Sequence, residues 1–113
     1  MVKKDFMPTV VSELEGGRGK GAMVHWLEDD ELCDNLSLLS TVTLERGATV
    51  GVHTHTGEAE IYRIIAGKGL YIDNGEEVEV VQGDVMLCRD GESHGIDNIG
   101  SEELTFDAII IKK

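Results

Sequence analysis

Short apolar runs divided by turn residues constrain the fold of this chain more than any other feature. Glycine occurs 14 times and proline once among 113 residues, and β-branched residues cluster in the stretches between the glycines. Such runs predict short strands, and turn signals that recur every several residues favour antiparallel pairing. The predicted strands are 36–44, 49–55, 60–66, 70–73, 76–81, 85–88, 94–98 and 104–111. We therefore expect an all-β protein, a sandwich or barrel of antiparallel strands.

The dipeptide Asn74-Gly75 is the clearest local signal in the chain. It separates two alternating stretches, and both of its residues accept the positive φ that a two-residue hairpin requires. A chain of 113 residues fits one domain, so we predict a single domain over 1–113. Its core is expected at 36–113. Residues 1–35 are expected to form an N-terminal arm with edge strands, including a glycine-rich loop at 15–21 and a short strand near 23–27.

The acidic charge of the chain bounds its partners. Asp and Glu number 22 against 10 Lys and Arg, which gives a formal net charge of −12. Nucleic acids and anionic membranes would be repelled by such a surface, and no apolar run is long enough to span a bilayer. We expect a cytoplasmic protein, because the N-terminus has no signal-peptide pattern. Cys33 and Cys88 match no CxxC motif and are expected to be free thiols, although the sequence leaves a disulfide open.

Three histidines and one glutamate have spacings that suit a metal site. His53 and His55 are two residues apart, so they share one face of a strand. Glu60 follows the turn at 56–57, and we expect a hairpin to return it alongside the histidine pair. His94 follows a later turn and is expected to approach from the opposite wall. The four side chains are candidate ligands of one ion: His53, His55, Glu60 and His94.

Three imidazoles and a carboxylate indicate a divalent transition metal rather than Ca²⁺ or Mg²⁺. Mn, Fe, Ni, Zn, Co and Cu all remain possible. Octahedral coordination by these four residues would leave two positions for water, substrate or dioxygen, whereas tetrahedral coordination would leave none and would make the site structural. The competing interpretation is coincidence, since two surface histidines on a strand give the same His-x-His pattern.

The two segments that carry these residues resemble the motifs of the cupin family. The first motif is matched by Gly47, His53, His55, Glu60 and Gly67, and the second by Gly83, Gly91, His94 and Asn98. Arg89 stands where the family has proline, which leaves the turn before His94 less rigid than usual. The resemblance implies a jelly-roll β-barrel with the metal inside, the same four ligands and a homodimer.

Other residues near the motifs are weaker candidates. Tyr62 and Glu58 share strand parity with Glu60 and are the only candidates for a catalytic group. The simpler interpretation is that Tyr62 packs in the core and that Glu58 occupies a turn. Ile61 and Ile65 have the opposite parity. They predict an apolar outer strip, which a second subunit would cover.

The sequence favours a metal-dependent enzyme acting on a small oxygen-rich molecule, of the dioxygenase, decarboxylase or isomerase type that the resemblance allows. A bound metal would stabilise negative charge that develops on oxygen. The alternative is a non-catalytic module that binds or senses a small ligand or a metal. A third possibility is a scaffold whose metal is structural.

Overall fold

The chain folds into ten β-strands and two short 3₁₀ turns in a computed structural model that describes residues 1–113. The 3₁₀ turns span Leu14–Gly16 and Asp29–Glu31. In chain order, β1 to β10 are Thr9–Ser12, Lys20–His25, Leu36–Leu44, Thr49–Thr54, Glu58–Ala66, Lys68–Asp73, Glu76–Val81, Val85–Cys88, Ser93–Asn98 and Leu104–Lys112. Every strand pairing is antiparallel.

The strands form two sheets that enclose one core. The six-stranded sheet has the order β1-β2-β3-β10-β5-β8, and the four-stranded sheet has the order β4-β9-β6-β7. Alternate residues of the strands point inward, and thirteen buried apolar side chains form one cluster between the sheets. The most deeply buried of them include Phe106, Leu44, Ile64, Ile96 and Leu104. The predicted all-β antiparallel fold, with the jelly-roll architecture that the resemblance implied, is confirmed.

The hairpin between β6 and β7 forms at the expected dipeptide. Asn74 and Gly75 have φ values of 49° and 88°, as a two-residue hairpin turn requires. Asp73 pairs with Glu76 across the turn. The turn also reaches β9, because the Asn74 side chain accepts a hydrogen bond from the backbone N–H of Ser93. The hairpin is thus fixed next to the strand that carries His94.

The N-terminal region is more regular than its sequence suggested. The glycine-rich stretch at 15–21 is only partly a loop, since its last two residues begin β2, and β1 at Thr9–Ser12 was not predicted. β2 pairs along β3. Gly21 lies so close to the carbonyl of Thr43 that an added Cβ would come within 2.2 Å of its oxygen. Long-range backbone pairing overrides the local loop preference of glycine here.

The structure contains no helix with the length and apolar character needed to cross a membrane. Both cysteines are free, Cys33 at the surface and Cys88 in the interior.

Candidate metal centre

Four predicted side chains meet in the interior between the two sheets. The Nε2 atoms of His55 and His94 each lie 2.9 Å from Oε1 of Glu60 and 3.1 Å from each other. Nε2 of His53 lies 3.9 Å from the same carboxylate oxygen. The four candidate ligand atoms all lie within 4.8 Å of one another, and three of the four residues are buried. This arrangement is compact enough to surround a single ion.

The two sheets contribute to this cluster differently from what we expected. His53 and His94 are direct partners across the β4–β9 pair of the four-stranded sheet, so His94 does not approach from the opposite wall. Glu60 instead occupies that wall, on β5 of the six-stranded sheet. The chain between His55 and Glu60 crosses from one sheet to the other, so it does not form a hairpin. The expected hairpin was therefore wrong, while the convergence of the four side chains is present.

Each imidazole of the cluster is oriented by a partner on its other ring nitrogen. Nδ1 of His53 lies 2.7 Å from the carbonyl of Gly51, and Nδ1 of His55 lies 2.8 Å from Oε1 of Glu58. Nδ1 of His94 lies 2.8 Å from the hydroxyl of Tyr71. An imidazole that donates its Nδ1 proton presents a lone pair at Nε2. With this tautomer in all three histidines, the Nε2 lone pairs point at the space beside Glu60, as they do in metal-binding histidines with outer hydrogen-bond partners.

The electrostatics of the cluster favour a cation. Burial opposes ionisation of Glu60, but the neighbouring imidazoles of His53 and His94 outweigh burial and lower its pKa to about 2. The same carboxylate, which lies 3.9 Å from Nε2 of His53, raises the pKa of His53. Three nitrogen lone pairs and a carboxylate repel one another at these distances unless a proton or a metal ion lies between them. The donor set therefore fits a divalent transition metal.

A cavity of about 110 Å³ adjoins the cluster. His53, His55 and Glu60 line it, whereas His94 lies behind them and is almost completely buried. Tyr62 also lines the cavity, and its ring stacks on the imidazole of His94 with centroids 4.8 Å apart. The cavity thus gives a ligand access to one side of the cluster.

Tyr62 and Glu58, the weak catalytic candidates, have different surroundings. Tyr62 is buried as its parity predicted, and burial together with the charge of Glu60 holds its pKa well above its usual value. It therefore keeps its proton at neutral pH. Glu58 does not line the cavity; its carboxylate accepts the hydrogen bond that orients His55.

Two residues at the site escaped the sequence analysis. Tyr71 alternates inward on β6, and this parity could have revealed it. Glu15 carried no such signal, because it lies at the cavity rim in a 3₁₀ turn with a left-handed φ of 52°.

His25 is exposed and contacts Ser40 outside the cluster. Asn98 is also remote, since its side-chain amide donates to the backbone carbonyls of residues 44, 45 and 102.

The turn before His94 is stabilised in a way that proline would not allow. The backbone N–H of Arg89 donates to the carboxylate of Glu92, and the N–H of Glu92 donates to the carbonyl of Arg89. The N–H of Arg89 holds the pKa of Glu92 below its usual value, with a further contribution from Asn74. Since proline has no N–H, the arginine here replaces ring stiffness with a hydrogen-bonded turn.

A protein and a crystal structure from one organism are similar to this chain over nearly its whole length. An oxalate-binding protein from Thermotoga maritima is 39% identical over 107 residues, which cover 95% of this chain and 88% of that protein. A crystal structure described as a predicted oxalate decarboxylase from the same organism has a TM-score of 0.95 at 38% identity, with all of both chains covered.

A more distant structure shares the fold alone. A sugar phosphate isomerase of the cupin superfamily from Silicibacter pomeroyi has a TM-score of 0.71 at 21% identity, over 82% of this chain and 60% of that one. The family model for the cupin domain matches residues 40–111, the region that contains the whole cluster. With two facing antiparallel sheets and an inward-pointing His₃Glu set, this chain belongs to the cupin family.

Proposed function

We propose that this chain binds one divalent transition-metal ion through His53, His55, Glu60 and His94, and that a small oxygen-rich ligand binds beside the ion in the cavity. The observation that carries the proposal is the convergence of three Nε2 atoms on one carboxylate, each imidazole held by an outer partner. A buried set of this kind is costly to maintain unless a cation occupies it.

The proposed activity is metal-dependent conversion of that ligand, by dioxygenase, decarboxylase or isomerase chemistry. A bound metal would polarise a ligand oxygen and stabilise the negative charge that develops there. The protein would exclude water from the cavity and hold the metal ligands in place. Its apolar walls exclude water, Tyr62 stacks against His94, and Glu58 keeps His55 oriented. The solved relative described as a predicted oxalate decarboxylase supports a small oxygen-rich molecule as the substrate.

A non-catalytic binding module is the second candidate, and a specific observation favours it. Apart from the cluster and Tyr62, which keeps its proton, the only ionisable side chain that lines the cavity is the carboxylate of Glu15. General acid–base catalysis needs a group that changes protonation near neutral pH, and the cavity supplies few. The relative named as an oxalate-binding protein also agrees with binding.

One experiment tests the proposal and separates the two candidates. Protein loaded with Mn²⁺ is titrated with oxalate in a calorimeter, and products are then measured in the same samples. Heat of binding in the loaded protein, and none after chelation of the metal, is expected. Product formation supports the enzyme, and saturable binding without product supports the module. Binding that is equally tight without metal contradicts the proposal as a whole.

Metal affinity is expected to fall steeply as the pH is lowered from about 7.5 to about 5. The neighbouring carboxylate of Glu60 raises the pKa of His53, so protons compete with the metal at a higher pH than at an ordinary histidine. Glu60, with a pKa of about 2, stays ionised in this range. Each competing proton lowers affinity about tenfold per pH unit below its pKa. Equilibrium dialysis with Co²⁺ measures this, and an affinity independent of pH would exclude imidazole ligands.

We further propose that the chain acts as a homodimer, in the cytoplasm, with a small molecule rather than a nucleic acid as its ligand. The unpaired cysteines agree with a reducing compartment. An apolar row crosses four neighbouring strands on the outer face of the six-stranded sheet, because Leu39, Ile109, Ile61 and Leu87 are successive cross-strand partners. Leu87 is 42% exposed in the single chain, and a second copy packed here would cover it.

The dimer proposal is tested by sedimentation equilibrium. The wild-type chain is expected to sediment as a dimer, and Ile61→Lys is expected to shift it to the monomer because a charge would be buried in the contact. Ile99→Lys is the matched control, since Ile99 is 43% exposed in a loop outside this row. A monomeric wild-type protein would contradict the proposal.

A further inference from the structure

We infer that the cavity selects a small monoanionic acid with an apolar substituent, such as a 2-oxo acid, in preference to a small dianion. This inference rests on the proposed metal site and specifies the ligand class that the site takes. It follows from three features of the chain: the composition of the cavity wall, the charge balance of the cluster, and a carboxylate at the rim.

The cavity wall is apolar apart from the cluster, the hydroxyl of Tyr62 and the carboxylate of Glu15 at the rim. Nine of its thirteen lining residues are hydrophobic, and the remaining four are His53, His55, Glu60 and Glu15. No lysine or arginine lines the cavity. A ligand with a second polar group that extends beyond the cluster and Tyr62 would therefore leave that group without a hydrogen-bond partner, which is costly in an apolar environment.

The charge of the cluster matches a single negative charge. A divalent ion bound by neutral imidazoles and the Glu60 carboxylate retains one net positive charge, which a monoanion would neutralise. A dianion would leave one unbalanced negative charge in an apolar cavity, with no cationic side chain among the lining residues. Unbalanced buried charge is among the most unfavourable arrangements in a protein.

Glu15 strengthens this discrimination at the rim. Its turn is seated closely on β4, since a Cβ added at Gly51 would lie 2.2 Å from the carbonyl oxygen of Glu15. Glu15 is exposed and lines the same cavity as the cluster residues His53 and His55. A fixed negative charge at the rim repels a dianion more than a monoanion.

The size and position of the apolar wall suit a short substituent. Val42, Phe106 and Ile110 line the cavity together with three cluster residues, and Ile110 is the cross-strand partner of Glu60. About 10–15 Å³ of such space holds one water, so a cavity of about 110 Å³ has room for several atoms beyond the acid group. Ile110 is half-buried, so a substituent that reaches it would gain apolar contact.

The test measures the binding of a series of ligands to the Co²⁺-loaded protein, by calorimetry and by changes in the visible spectrum of the ion. Pyruvate, 2-oxobutanoate and 2-oxopentanoate are compared with oxalate, each affinity being divided by that ligand's affinity for Co²⁺ in water. Affinity is expected to rise two- to fourfold with each methylene, the upper value corresponding to ~0.8 kcal/mol per buried CH₂. Oxalate is expected to show the smallest ratio of the four.

Two variants identify the residues responsible. Ile110→Ala is expected to flatten the rise along the series, whereas Ile109→Ala, on the outer face of the same strand, should leave it unchanged. Glu15→Gln is expected to improve oxalate binding by a larger factor than pyruvate binding, because the removed repulsion scales with ligand charge.

The outcomes separate this inference from the proposed function. A flat or falling series in wild-type protein, or an oxalate ratio above those of the 2-oxo acids, overturns the ligand class while leaving the metal site intact. Failure of Co²⁺ to bind, or a Co²⁺ spectrum that none of the ligands changes, overturns both.

Discussion

Purified protein carrying His53→Ala together with His94→Ala is expected to lose essentially all of its bound metal, against about one ion per chain in the wild type. Two of four proposed ligands disappear, and they are direct partners across β4 and β9, so no neighbouring histidine can replace them. The only other histidine besides His55 is His25, which lies outside the cluster. Elemental analysis after dialysis against Co²⁺ or Zn²⁺ measures the effect.

Controls for this prediction separate lost ligation from lost folding. His25→Ala removes an imidazole without touching the cluster and should retain full occupancy. Glu60→Gln preserves the size of a buried side chain while removing its charge, so it should fold and yet bind metal much more weakly. Glu58→Gln changes only the partner of His55 and is expected to cost about 10- to 100-fold in affinity. Full occupancy in the double variant would remove the proposed site from consideration.

Phe106→Ala is expected to destabilise the protein by about 3–5 kcal/mol, the largest stability effect we anticipate from one substitution. Phe106 is 1% exposed and lies in the core cluster between the sheets. Its ring packs on Tyr62 with centroids 4.5 Å apart, and Tyr62 in turn stacks on His94. Truncation would therefore enlarge the cavity and loosen the support of the metal cluster.

Urea unfolding of the metal-free protein measures the loss, and the only other phenylalanine provides the control. Phe6 lies in the N-terminal arm and is 46% exposed, so Phe6→Ala should change the free energy of unfolding by no more than about 0.5 kcal/mol. Equal effects of the two substitutions would show that the core is not where the structure places it.

The period-two pattern of strands explains why much of the site could be predicted from the sequence. Strand parity placed Tyr62 inward with Glu60, and both are buried. It also placed Ile65 outward, where it is 41% exposed. Because parity is local, it needs no knowledge of how the sheets are arranged.

The arrangement of the sheets could not be predicted in the same way. We expected Glu60 beside the histidine pair and His94 on the facing wall, but β4 pairs with β9 and Glu60 lies on the other sheet. The sequence of the turn at 56–57, after His55, predicts a hairpin. Only the long-range pairing of β5 with β8 and β10 determines that the chain crosses between sheets.

Glu15 shows a second limit of sequence patterns. It belongs to a turn in which Glu13 and Glu15 both have left-handed φ values, a conformation that glutamate rarely adopts. Contact with β4 at Gly51 holds the turn in place. No local propensity predicts such a conformation, because tertiary contacts impose it. The position of Glu15 at the rim of the cavity therefore could not be predicted from the sequence.

The most direct test of the proposed metal centre is the position of a bound ion, obtained by anomalous diffraction from crystals of the Co²⁺-loaded protein. We expect one ion about 2.0–2.2 Å from Nε2 of His53, His55 and His94 and from a carboxylate oxygen of Glu60, on the side of His94 that faces the cavity. An ion bound only by acidic groups at the surface, or one that leaves His94 uncoordinated, would contradict it.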